Sequence, residues 1–407
     1  MKNNKSYLYL PLLLLIFSVT PCAAQIDSTV YSCILKQLQS LKEQYAPDSR
    51  SKILELAPGA PHSGTYIIQS TEKKALEALE KKLAHLKANI SLELLPDSSV
   101  QQTPYGVSIL SVANLRTQPG HNQEMATQIL LGTLVDILQQ KNGEYRVRTP
   151  EGYIAWVPTT SIAPMDHKHM QSYKASKKII FTQEFGKSFS AANTQSQRVS
   201  DLVYGNILSL IDSSQAFYQV AYADGREAYI AKDQACPLEN WLYSRKLTAE
   251  NLIQSGKSML GLPYLWGGTS VKGVDCSGFT KTAFFMNGYI IPRDASQQVL
   301  AGDPVAILDE SGELDEDLAL KNLKPADLLF FAGAKNKSPN PRVTHVALYI
   351  GNGQFIQSAG RVRINSLLQQ AENYDALQAS TIVAAKRYIG SKDPQIQAIH
   401  KNSTYIK

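Results

Sequence analysis

Residues 261–285 read GLPYLWGGTSVKGVDCSGFTKTAFF, and this stretch decides the fold of the C-terminal part of the chain. An amphipathic run, Ala249 to Leu260, leads into the glycine-rich loop, and Val274-Asp275-Cys276-Ser277-Gly278 then opens a helix expected to continue through Phe285. Cys276 falls where that helix begins. Unpaired N–H groups and the positive end of the helix dipole stabilise a thiolate there, and the same amides can receive an oxyanion. A cysteine nucleophile needs a base on a rigid element facing it. Thr344 to Ile350 alternates as a strand, Gly351-Asn352-Gly353 turns it, and Gln354 to Ser358 returns. His345 is the candidate base. The antiparallel return brings Gln357 beside it, where a polar side chain can hold the second ring nitrogen.

Upstream, from about residue 105 to 235, short β-type runs alternate with Gly, Pro and polar turns and contain an internal repeat. Gly132, Val135, Ile137, Tyr145, Val147, Gly152, Trp156 and Val157 match Gly205, Leu208, Leu210, Tyr218, Val220, Gly225, Tyr229 and Ile230 at a constant offset of 73 residues. Two small β-barrels are expected. In the first copy, Asn114-Leu115-Arg116-Thr117-Gln118-Pro119, Gly132, Tyr145-Arg146-Val147 and Gly152-Tyr153-Ile154-Ala155-Trp156-Val157 resemble the bacterial SH3-like domain of exported cell-wall proteins. The arginine and proline pieces are not recognisable in the second copy. Met165 to Ala175 is expected as a linker. Its His167 and His169 have no third metal ligand near them in sequence, and no metal or organic cofactor is indicated.

Before the repeat, Val30, Ile34, Leu38, Leu41 and Tyr45 mark a helix that Pro47 ends. Strands are expected at Lys52 to Leu56, Thr65 to Gln69 and Ser91 to Leu95, with a turn-rich loop at Pro58 to Gly64 and an amphipathic helix at Thr71 to Lys87. Tyr7 to Val19 is apolar, follows Lys2 and Lys5, and precedes small residues at Cys22 and Ala24. It reads as a secretory signal cleaved before Gln25, with lipid attachment at Cys22 as the rival. Either way the protein is expected to be exported, to the periplasm or the extracellular space, and to meet a membrane only if Cys22 is lipidated. The 407 residues carry a net charge of +6 with 43% hydrophobic and 19% charged residues, which excludes disorder, collagen and a polytopic membrane protein and is too weak a bias to argue for nucleic acid. Of the four cysteines, Cys33, Cys236 and Cys276 remain after cleavage. An odd number cannot all pair: Cys33 and Cys236 either form a disulfide or are small core residues.

Around the nucleophile, G-x-P-Y-x-W-G-G, D-C-S-G-F, P-R-D-x-S-Q-Q (292–298), P-x-D-L-L-F-F (325–331) and H-V-x-x-Y-x-G-x-G-x-F-I occur in one order over roughly 140 residues. Together they resemble the NlpC-type (NlpC/p60) family of cell-wall cysteine peptidases, which are papain-like. The resemblance implies a multidomain α+β protein in which a papain-like NlpC-type domain (245–392) follows a signal peptide (1–24), a small N-terminal α/β unit (25–97) and two SH3-like β-barrels (98–165 and 175–240), with a tail at 393–407. It implies Cys276 as nucleophile, His345 as general base and Gln357 as third residue, where most members have histidine. Tyr264 would add to the oxyanion hole. Asp275 and Gly278 would shape the turn, and Ala326 replaces a usual glycine.

The layout also resembles that of γ-D-glutamyl-L-diamino acid endopeptidases, which cut muropeptides with a free N-terminal L-alanine. That implies peptidoglycan-derived peptides as substrates and a pocket in which Glu124 receives the amine and Ser277 and Asp294 line it, with Tyr153 a weaker candidate and Trp266 a further substrate-binding residue; a monomer that binds no nucleic acid is expected. Arg293 either binds a substrate carboxylate or, the favoured reading, fixes its loop by pairing with an acid such as Asp327. Arg361 and Arg363 are left without a role. An autolysin acting on intact wall and an inactive wall-binding module are the competing readings.

Overall fold

A computed structural model describes residues 28–57, 65–333, 335, 338 and 341–405. The expected signal segment with Cys22 and the loop 58–64 lie outside the described residues. The chain divides into two compact units, a smaller one up to Pro47 and from Ile53 to Leu94, and a larger one comprising Asp48–Lys52 and everything from Leu95.

In the smaller unit the helix Ser28–Tyr45 buries Ile34, Leu38 and Leu41, the residues that its 3.6-residue period places on one face. A three-stranded sheet has Thr65–Ser70 at its centre, antiparallel to Leu54–Leu56 and parallel to Asn89–Leu94. The parallel pair is joined through the helix Lys73–Leu83, which buries Ala75, Leu76, Leu79 and Leu83.

Within the larger unit the repeat extends well beyond the matched residues. One sheet runs Ile162–Met165, Tyr105–Ser108, Leu134–Lys141, Glu144–Arg148, Ile154–Pro158, Val112–Arg116, Met125–Leu130. The other runs Ala235–Pro237, Lys178–Phe181, Ile207–Ser213, Phe217–Ala221, Glu227–Ala231, Phe185–Phe189, Arg198–Val203. The strand order is the same in both, including the pieces whose sequence signature is lost in the second copy. The expected barrels are open in their pairing, since no ladder among the described residues joins the end strands of either sheet. Between them Asp166 caps a helix, His167–Ala175, by accepting from the His169 N–H; the expected linker is thus helical, and His169 Nδ1 lies 2.8 Å from Asp166 Oδ1.

The C-terminal part packs helices on a six-stranded antiparallel sheet of order Asp303–Val305, Ile382–Arg387, Leu328–Phe331, His345–Gly351, Gln354–Ala359, Arg361–Ser366. The central strands bury both faces. Leu328, Phe330, Val346, Leu348 and Ile356 share one core with Phe279, Ala283 and Phe284 of the helix Cys276–Met286, while Leu329, Phe331, Ala347, Tyr349 and Phe355 share another with Ala319 and Leu323. Each fully buried Leu, Ile or Phe contributes about 1.5–3 kcal/mol, so the apolar side of the helix Cys276–Met286 contributes strongly to fixing it on the sheet. Helix Ala249–Ser258 comes close at Gly256, where a Cβ would already touch Leu348, Ile356 and Phe279 at 3.2–3.3 Å. Ala326 has φ +75, a left-handed backbone in which the usual glycine is unstrained. The expected tail is docked: Gln397–Ala398 pairs with Tyr289–Ile290, and Ile399 is buried among Trp241, Leu242 and Ile290.

Candidate active site

Asp275 is the N-cap of the helix Cys276–Met286, accepting from Gly278 N–H at 2.7 Å, so Cys276 is the first helical residue. The other carboxylate oxygen accepts from Gly267 N–H at 2.9 Å and ties the glycine loop to the helix start. That approach leaves no room for side chains: a Cβ on Gly278 would lie 1.9 Å from the Gly268 carbonyl oxygen, and one on Gly267, at φ +77, 2.6 Å from that of Met125. The loop is strapped to the hairpin beyond Gln357 by Gly261 N–H to Val362 O and Tyr264 N–H to Gly360 O, both 3.0 Å, and Pro263 forms a backbone bridge with Arg361.

The Cys276 thiol lies against the backbone on both sides of His345. Its S–H points at the Thr344 carbonyl oxygen, 3.9 Å away, and the Val346 N–H is turned to the sulfur. Burial pushes the thiol up to about 12, with the Asp275 charge adding to the effect, against the backbone N–H groups of Val346 and Ser277 and the charge of Arg293. The helix start is where the sequence puts it, yet desolvation outweighs the amides. Burial also pulls the imidazole of His345 below its ordinary 6.5, opposed by Gln357, Asp375 and Asp275. The pair therefore rests as thiol and neutral imidazole.

Gln357 is fully buried, and its Oε1 lies 2.7 Å from His345 Nε2. The amide has one possible orientation, because its Nε2 donates to Asn365 Oδ1 and to Asp375 Oδ2, each at 2.9 Å. Turned over, its oxygen would face two oxygens. Gln357 Oε1 thus accepts from His345 Nε2–H, and the tautomer leaves Nδ1 unprotonated, the state a general base needs. The ring rests against Phe331, with centroids 5.6 Å apart. Neither Asn365 nor Asp375 was legible as a site residue; the one signal at Asp375 is its place before the helix Ala376–Thr381, whose Gln378 N–H it accepts.

An open cleft with about 470 Å³ of room for solvent runs past Cys276, Tyr264, Trp266, Glu124, Tyr153, Ser277, Asp294, Thr344 and Arg342. The phenol of Tyr264 is held protonated, first by burial and then by the nearby Cys276 and Asp275, so it is a donor beside the thiol. Glu124, exposed just before the strand Met125–Leu130 of the first seven-stranded sheet, accepts from Trp266 Nε1 at 2.9 Å. The same sheet presents, just before its strand Ile154–Pro158, Tyr153, whose hydroxyl donates to Asp294 Oδ2 at 3.3 Å. It is locked to the glycine loop by Gln128, whose Oε1 accepts from Thr269 N–H at 2.9 Å.

Two expectations change. Arg293 does fix its loop, but its partner is Asp275, at 2.7 and 3.1 Å; Asp327 pairs with Arg387. Ser277 borders the cleft, yet its hydroxyl is buried between Asp275 and Arg293, donating to the first and accepting from the second. A third residue was missed beside Asn365 and Asp375. Arg50, 244 positions from Asp294 in sequence, donates to Asp294 Oδ2 at 2.7 Å and to Ser296 Oγ at 2.9 Å, and is itself held by Asp48. Arg363 braces the acceptors behind the histidine, donating to Asn365 Oδ1 at 3.1 Å. Cys33, Cys236 and Cys276 are free thiols, and among the described residues no group of three or more His, Cys, Asp or Glu is placed to hold a metal ion.

Comparison with known proteins agrees with this architecture. Residues 261–381 match the NlpC/P60 family and residues 115–162 match the bacterial dipeptidyl-peptidase Sh3 domain. The chain is 32% identical to a γ-D-glutamyl-L-lysine dipeptidyl-peptidase of Bacillus subtilis, over 57% of this chain and 71% of that one. It is 28% identical to dipeptidyl-peptidase 6 of Lysinibacillus sphaericus, over 68% and 97%. The crystal structure of an NlpC/P60 family protein from Bacillus cereus superposes with a TM-score of 0.56 at 24% identity, over 70% of this chain and 99% of that one, and so shares the fold. By the extent of its likeness to the Bacillus subtilis enzyme, and with a cysteine at the head of the helix that the fold packs on its sheet, the chain belongs to the NlpC/P60 family of cysteine peptidases.

Proposed function

We propose that this protein is an exported peptidase that hydrolyses the bond between D-glutamate and the diamino acid in peptidoglycan stem peptides bearing a free N-terminal L-alanine, with Cys276, His345 and Gln357 as its triad. The domain limits expected from the sequence are part of this reading. His345 Nδ1 takes the thiol proton as Sγ attacks the γ-carbonyl carbon, and the oxyanion is received at the first turn of the nucleophile helix and by the Tyr264 hydroxyl. The C–N bond then breaks, the imidazolium returns the proton to the leaving amine, and a thioester remains on Cys276. Water, deprotonated by His345, attacks the thioester and expels the thiolate, which recovers its proton. Because the thiol and imidazole rest neutral, proton transfer belongs to the attack itself rather than to the free enzyme.

The observation that carries the free-amine reading is the charge at the far end of the cleft. Asp294 is paired with Arg50 and flanked by Arg293 at 3.8 Å, so its charge is already matched. Glu124, by contrast, accepts from the neutral indole N–H of Trp266 and has no cationic partner among the described residues, which leaves its carboxylate to meet an ammonium group. The names of the related dipeptidyl-peptidases support the same substrate class. A stem peptide still amide-linked to glycan has no ammonium to offer and gains nothing from that carboxylate. Glu124→Ala is expected to lower kcat/KM on the free-amine peptide roughly tenfold or more, with the N-acetylated peptide left uncut as by the wild type. Equal activity of the wild type on intact sacculi and on free-amine peptides would instead support an autolysin.

A further inference from the structure

Behind the imidazole the structure holds a second layer of acceptors. Gln357 gives its carbonyl oxygen to His345 Nε2–H and both amide hydrogens to oxygens, one of them Asp375 Oδ2 at 2.9 Å. The other carboxylate oxygen, Asp375 Oδ1, accepts from Gln378 N–H at 3.1 Å. Position 375 therefore faces a donor on each side, and a carboxylate alone satisfies both: an asparagine in the same pose would turn its own NH₂ toward one of them.

We infer that Asp375 is a positioning residue for the peptidase chemistry, acting on His345 chiefly through the amide of Gln357. Its charge adds a weaker direct effect on the imidazole. The third position here is a neutral amide, which can accept from the imidazole but brings no charge of its own. An anion bonded to the far end of that amide polarises it, so the oxygen facing His345 becomes a better acceptor as the imidazolium forms. It also prevents the amide from turning over, which would present NH₂ to Nε2 and select the tautomer that cannot act as base. The inference rests on His345 being the base, and not on which peptide is cut.

The charged groups facing this relay are Asp375 on the helix cap, Arg363 on the neighbouring strand, whose Nη2 lies 3.7 Å from Asp375 Oδ2, and Asp275 at the head of the nucleophile helix. Arg363 also donates to Asn365, so it steadies both oxygens that lock the amide.

The test is a cycle of Asp375→Asn, Gln357→Ala and the double variant in the full chain. It reads kcat/KM against pH and the rate at which iodoacetamide alkylates Cys276, followed by peptide mass spectrometry. Asp375→Asn keeps the size of the side chain and can still cap the helix through its oxygen. It is expected to lower kcat and the alkylation rate roughly tenfold, with KM unchanged and the acid limb of kcat/KM moved to lower pH. In the Gln357→Ala background the same substitution is expected to change neither rate by more than about twofold. Nitrogen-15 shifts of His345 should report a proton on Nε2 in the wild type and a mixture of tautomers in Asp375→Asn. Rates and profiles of Asp375→Asn within about twofold of wild type, or an equal loss with and without Gln357, would overturn the inference. Alkylation needs no peptide, so a wrong substrate assignment leaves it readable and the two failures are distinct.

Discussion

Replacing Arg293 by methionine removes a fully enclosed guanidinium, 1% exposed, that holds the site together from two sides. It donates twice to Asp275, at 2.7 and 3.1 Å, once to Ser277 Oγ at 2.9 Å, and once to Thr127 Oγ1 of the first seven-stranded sheet at 2.9 Å. Methionine fills most of the volume but leaves the Asp275 carboxylate, itself 7% exposed, without its counter-charge. Breaking one side of a buried pair costs about 3–5 kcal/mol. Asp275 keeps the N–H groups of Gly267 and Gly278 and the Ser277 hydroxyl, which places the loss toward the lower end, about 3 kcal/mol. Adding Asp275→Asn to Arg293→Met removes the stranded charge and should recover half of that loss or more, because the penalty comes from the unpaired charge rather than from the missing contacts. Equilibrium denaturation of the two variants and the wild type, followed by tryptophan fluorescence, measures both numbers. A loss below about 1 kcal/mol for Arg293→Met, or a double variant no more stable than the single one, would refute this reasoning.

Three smaller predictions follow from local geometry and burial. Ala326→Gly relieves the left-handed strain and should stabilise the protein by about 1 kcal/mol, raising the melting temperature by about 2–4 °C in calorimetry. Cys276 alkylation should keep rising from about pH 6 to about pH 9, because thiolate is formed only as pH climbs toward the raised value of the buried thiol; a plateau across neutral pH would reveal a preformed thiolate–imidazolium pair and contradict the resting state described above. In the same vein, the acid limb of kcat/KM, set by His345, should lie below pH 6.5, since burial disfavours its charged form.

What the sequence disclosed and what it withheld divide along the range of the interactions. Asp275, Cys276 and Gly278 are three positions of one helix start, and their capping and close packing on Gly268 are local enough to be written as a motif. His345 and Gln357 are joined by a tight turn, so a period-two pattern is enough to pair them. Even the second seven-stranded sheet could be read from a constant offset, although strand positions such as Phe185–Phe189 keep the architecture while losing the signature residues. The counter-charges lay out of reach. Arg293 finds Asp275 rather than Asp327, and Arg50 finds Asp294 across 244 residues, because any exposed-looking acid is a candidate until the fold decides which is near. Asp375 reads as an ordinary helix cap, since the second use of its carboxylate depends on a strand that comes earlier in the chain. The thiol illustrates a different limit: the helix start was visible, but the desolvation that outweighs it is a property of the assembled core.

The most direct test of the account is digestion of two synthetic peptides, L-Ala-γ-D-Glu-diaminopimelate and its N-acetylated form, by the wild type and by Cys276→Ala, with the products weighed by mass spectrometry. The account predicts cleavage after D-Glu in the free-amine peptide alone, lost entirely in Cys276→Ala. Equal cutting of both peptides would contradict the role given to Glu124, and cleavage that survives in Cys276→Ala would contradict the nucleophile itself.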